Sequence, residues 1–173
     1  MGIYFYLYPV DPGVLQHDVE WVSQYVEDRD HEFWDWEQDR AAPAGDPRSQ
    51  VVLGYQHHYV DLINPYLEAA YGLEPYSWFA GDQINEFYFV TSEADVSRLA
   101  ATLADPPVDV RDALDGLAQA NLSMAGTWAP VEGWTDGTVE EFWDLVDRLH
   151  AQLRDFFSRA ADHEQAVIGL FSP

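Results

Sequence analysis

The chain of 173 residues contains no cysteine and no lysine. Without cysteine there is no disulfide, no thiolate ligand and no cysteine nucleophile, so packing and hydrogen bonds alone must hold the fold. All eight basic side chains are arginines, set against 31 Asp and Glu, and the formal charge is −23. Such a chain cannot neutralise a run of phosphates and release their counterions, which argues against nucleic acid as a partner. An anionic membrane surface is disfavoured for the same reason. Long apolar runs are missing as well: Asp, Glu or His interrupts every stretch before the roughly 18 residues that span a bilayer. Residues Met1 to Tyr8 carry no Lys or Arg and run at once into Pro9, so no export signal is expected, and Tyr6 stands where a myristoylation signal needs Ser or Thr. The expectation is a cytoplasmic protein without a membrane partner.

What is present is apolar surface. At 47% hydrophobic and 15% aromatic residues the chain can offset its chain entropy by burial, unlike a disordered acidic tail. No repeat, low-complexity tract or linker divides it, so a single domain of residues 1–173 is expected. Ile3 to Val10 is aromatic and β-branched and closes on Asp11-Pro12-Gly13, the pattern of a strand ended by a breaker. From Val14 the spacing of Val14, Leu15, Val19, Val22 and Val26 predicts a helix to about Glu27. Gln50 to Leu53 reads as a short apolar element, Tyr55 to Tyr71 as a helix interrupted at Pro65, and Glu74 to Asn85 as irregular. Glu86 to Val90 predicts a strand. Ser92 is placed to cap a helix with Glu93 and Asp95 in its first turn, ending near Asp105 before Pro106-Pro107. Val110 to Leu122 predicts another helix, and a capping box at Thr138 and Glu141 opens a longer one to about Ala161. Ala166 to Phe171 reads as a final buried strand.

The familiar chemical signatures are absent. The chain has no Gly-x-Gly-x-x-Gly, P-loop, Gly-x-Ser-x-Gly or His-Glu-x-x-His, so no cofactor and no catalytic set is assigned. His57 and His58 are neighbours and point about 100° apart on a helix or to opposite faces of a strand, so one metal does not easily take both, and no metal site is assigned. His163, between Asp162 and Glu164, reads as a polar connection to the last strand. With 31 acids in the chain, the presence of carboxylate pairs carries no information about acid–base chemistry.

One segment concentrates the charge. Residues 18–39 hold nine carboxylates and a single arginine, Arg29, threaded with Trp21, Phe33, Trp34 and Trp36. Two readings stand: a solvated helical face whose tryptophans pack inward, and an acidic surface whose aromatics anchor a basic partner. The residues that would carry the second are Trp34, Asp35, Trp36, Glu37 and Asp39.

Several short pieces in order resemble the YfbM-like bacterial proteins: Met1-Gly2-Ile3-Tyr4, the run Gly45 to Gly54, Tyr88 to Val96, Pro130 to Trp134, and Leu153 to Ala161 followed by Ala166-Val167-Ile168. The chain departs from that pattern with His163-Glu164-Gln165 where a glycine usually precedes the last strand, and with Ala129 where a Tyr usually precedes the proline. The resemblance implies an α/β architecture, a bacterial cytoplasmic setting and no known catalytic residues. The expected fold is therefore mixed α+β, with helices packed around a mixed β-sheet in three layers. For function, the leading expectation is a non-enzymatic binding module, such as an immunity or inhibitor protein that neutralises a basic partner. The alternatives are a small enzyme or ligand-binding protein with a pocket beside the sheet, lined by Tyr55, His57, His58, Trp78 and Trp128, and an acidic protein whose charge serves solubility alone.

Overall fold

A computed structural model describes residues 4–39, 51–52, 81–105 and 139–172. Its elements are β1 (Tyr4–Val10), α1 (Val19–Asp39), β2 (Val51–Val52), β3 (Asp82–Gln83), β4 (Tyr88–Thr91), α2 (Glu93–Ala104), α3 (Val139–Asp162) and β5 (Ala166–Ser172). The strands form one sheet in the order β2-β1-β5-β4-β3. The last strand of the chain thus lies at the centre, paired with β1 from Tyr4↔Ser172 to Val10↔Ala166 and with β4 from Tyr88↔Leu170 to Thr91↔Val167.

Mixed α+β is the class that forms, and the sheet is narrower in type than expected. Every described strand pair is antiparallel, not mixed. The reason is delivery: α3 returns the chain to the end of the sheet where β1 and β4 finish, so β5 must run against both.

The pleat sorts side chains into two cores. Tyr8, Val10, Val90, Ala166 and Ile168 point to one face and meet Val22 and Val26 of α1, with Trp21, Tyr25, Tyr88 and Leu170 packed around them. Leu7 and Val167 belong to the alternate set. On that side α2 buries Val96, Leu99 and Leu103, and α3 buries Leu153, Phe156, Phe157 and Ala160. The two helices pack on each other, α2 also on β5 and α3 on β2. A helix on one face and a helix pair on the other give three layers. Val167 and Ile168 are both 0% exposed, so β5 is covered from both sides, which is why its sequence is apolar without alternation.

Local chemistry sets the element boundaries. Ser92 caps α2 as expected, its Oγ accepting from the Asp95 amide at 3.2 Å. The first helix begins later and ends later than the apolar spacing predicted. The Asp11 carbonyl accepts from the amides of Val14 and Leu15 at 3.1 and 3.2 Å and holds them in a turn, while Asp18 accepts from the Trp21 amide at 3.0 Å and starts the helix. Its charged continuation to Asp39 is supported by pairs at helical spacing, Gln24 with Asp28 and Arg29 with Glu32. The predicted strand at Glu86 also shifts. Asn85 Oδ1 accepts from the amides of Phe87 and Tyr88 at 2.8 Å each, which keeps residues 86 and 87 in a hairpin turn and starts β4 at Tyr88. Residues 82–83, expected to be irregular, pair as β3. Gly81 precedes them because a Cβ there would overlap the Val90 carbonyl. The expected helices within 55–71 and 110–122 and the capping box at Thr138 lie outside the described residues.

Two tyrosines bolt α1 to the sheet. Tyr25 donates to the Pro9 carbonyl at 2.8 Å, and Tyr8, 1% exposed, donates to Asp30 Oδ1 at 2.9 Å. Burial raises the Asp30 carboxyl above its ordinary range, against a smaller lowering by the Tyr8 hydroxyl and by His31. The sign follows: with the folded value above the unfolded one, protonated Asp30 favours the fold below the unfolded value, and that contribution is lost as pH rises through the folded value.

Asp30→Asn, which keeps the acceptor and removes the charge, is therefore expected to leave the protein at least as stable as the parent at neutral pH and to flatten its stability profile through the acid range. Asp30→Ala, which takes this acceptor from a buried hydroxyl, should cost about 1–3 kcal/mol. Urea denaturation from pH 3 to 7 (roughly the range that spans carboxylate titration) checks both, and an Asn variant as damaged as the Ala variant would contradict the assignment. Gly81→Ala should cost about 1–3 kcal/mol, since the obstructing atom is backbone; an unchanged urea midpoint would show that β3 can shift away.

Candidate functional site

Two places gather functional groups. The first is α1. Val22 and Val26 face the sheet, and Trp21, Tyr25, Arg29 and Asp30 flank them half-buried. The opposite arc carries Glu20, Gln24, Glu27, Asp28 and His31, all exposed, with Glu32 exposed beside it. Trp21 stacks on Tyr25 at 5.2 Å and 17°, and Arg29 lies 5.3 Å over the same Tyr25 ring while its Nη2 donates to Glu32 at 2.6 Å. Trp21 is thus a packing residue. Burial raises the Tyr25 hydroxyl above its ordinary value, with Arg29 opposing.

The backbone of Trp34, Asp35, Trp36, Glu37 and Asp39 forms the last turns of α1. Helical register divides these five positions. At about 100° per residue, 34 and 36 stand roughly 200° apart around the axis. By spacing along the helix, position 34 follows Glu27 by seven, 35 follows Asp28 by seven and 36 follows Arg29 by seven.

The second place is an open cleft of about 800 Å³ at the carboxyl ends of β1 and β4, lined by the Asp11-Pro12-Gly13 turn, by Glu93, Ala94 and Ser97 of α2, and by His163, Glu164 and Gln165. Each wall is a junction between elements. Asp11 Oδ1 accepts from the Gly13 amide at 2.7 Å and shapes the first turn. Glu93 lies in the first turn of α2, where the helix dipole favours a carboxylate. The third wall is the end of α3: the Gln165 amide donates to the Ala160 carbonyl at 2.9 Å and the Glu164 amide to the Ala161 carbonyl at 3.0 Å, a Schellman pair. Glu164 occupies the left-handed position of that motif with φ 53°, a conformation that favours glycine. Gln165 Oε1 is buried and meets no hydrogen-bond donor among the described residues. The cleft therefore offers carboxylates, an imidazole and a hydroxyl and no arginine among its lining residues, so it can receive donors and cations. Among the described residues no three of His, Asp and Glu are grouped to hold a metal ion, and no helix is long and apolar enough to cross a membrane.

Sequence reasoning did not assemble this cleft. Its three pieces are 80 and 70 residues apart in the chain, and each reads alone as a turn or a cap. The one signal available was the non-glycine tripeptide His163-Glu164-Gln165 ahead of the last strand. Tyr55, His57, His58, Trp78 and Trp128, the expected pocket lining, lie outside the described residues. Compared with protein-family models, curated proteins and solved structures, the chain matches none.

Glu164→Gly is expected to stabilise the protein by about 0.5–1 kcal/mol, because relief of a left-handed L-residue, about 1–2 kcal/mol, exceeds the extra chain entropy of glycine. Glu164→Val should destabilise it. The readout is the urea midpoint at unchanged slope, and a midpoint that falls in the glycine variant would mean that the carboxylate itself holds the turn.

Proposed function

We propose that this chain is a non-enzymatic binding protein of the immunity or inhibitor kind, which takes a basic protein on the outward arc of α1. The observation that carries the reading is the division of that helix. Its inward side is committed to the sheet through Val22 and Val26, while Glu20, Glu27 and Asp28 stand exposed. The one arginine of α1, Arg29, is already engaged by Glu32 and the Tyr25 ring, so it does not neutralise them. A ridge of this kind on a chain of charge −23 accelerates encounter with a cationic surface and repels anionic ones. In this reading Trp34 and Trp36 are the aromatic anchors that continue the helix beyond the arc, with Asp35, Glu37 and Asp39 as their charged rim.

Kinship with the YfbM-like proteins is part of the same proposal. It rests on the order of the short pieces named in the sequence, from which His163-Glu164-Gln165 departs where a glycine usually precedes the last strand.

The test starts from a basic protein captured at low salt from the source cell and then purified. Glu20→Gln/Glu27→Gln/Asp28→Asn should slow its association about tenfold or more, with the effect fading as salt rises. A control that neutralises the exposed Asp144 and Asp155 of α3 should change the rate far less. Equal losses from both sets, or binding indifferent to salt, would sink the reading. Trp34→Ala or Trp36→Ala should cost about 2 kcal/mol or more of affinity at unchanged stability. A variant that instead lowers the melting temperature by roughly 5–10 °C at unchanged affinity would show that its tryptophan packs inward and is no anchor.

A further inference from the structure

We draw no further inference here: the strongest candidate, the cleft at the carboxyl ends of β1 and β4 between Asp11, Glu93 and Glu164, is an acidic cluster beside a helix N-terminus, and its buried oxygen without a donor among the described residues, on Gln165, belongs to a side chain that is only partly buried, so nothing there identifies a ligand.

Discussion

The structure depends on the burial of β5 between β1 and β4. A strand that is paired on both edges and covered on both faces has every backbone group satisfied within the sheet, and all of its side chains must be apolar or small. Ala166, Val167 and Ile168 meet that demand with at most 1% exposure. The consequence is long-range. The ladder joins the first strand of the chain to the last, so the sheet is incomplete until the C-terminal residues are in place, and the cost of closing so large a loop must be met before those contacts form. The three layers follow, because each face of β5 needs its own cover: α1 on one, α2 with α3 on the other.

That arrangement decides how the chain tolerates its charge. Self-repulsion among so many carboxylates opposes compaction, and it is least where the groups stand apart in water. On α1 and α3 the described carboxylates lie mostly on outward arcs, leaving the inward rows to Val22, Val26, Leu153, Phe156 and Phe157. Asp30 is the exception. It sits at the seam between α1 and the sheet, where the Tyr8 hydroxyl partly offsets the loss of water around its carboxylate. The same seam explains why the acidic helix stays attached although its sequence is largely polar: two tyrosine hydroxyls, a short valine row and the flanking Trp21 and Tyr25 rings hold it.

Elements governed by local rules were legible. The Ser92 cap and the row Val96, Leu99 and Leu103 are enough to place α2, and the long apolar periodicity is enough to place α3. Where two local rules compete, the sequence could not arbitrate. Val14 and Leu15 fit a helical row as well as the Asp11 turn, and only the capture of their amides by the Asp11 carbonyl shows which prevails. Residues 82–83 are too few and too polar to announce a strand; they pair because the Asn85 turn folds them back on β4. The acidic aromatic segment was visible as composition, but its division into an outward and an inward side needed the start and register of α1, which depend on Asp18.

The sequence by itself determined the class of the fold, the Ser92 cap, the periodicities of two helices, the apolar character of the last strand and the net charge of −23. These are properties of single segments, set by spacing and side-chain chemistry within a few turns. Tertiary structure decided the rest: that β5 enters the middle of the sheet against both neighbours, which side of α1 faces out, and that Asp11, Glu93 and Glu164 share one cleft. The physical reason is the same in each case. Strand order and the meeting of distant turns are fixed by which faces must be buried together, and no local preference in the chain encodes that choice.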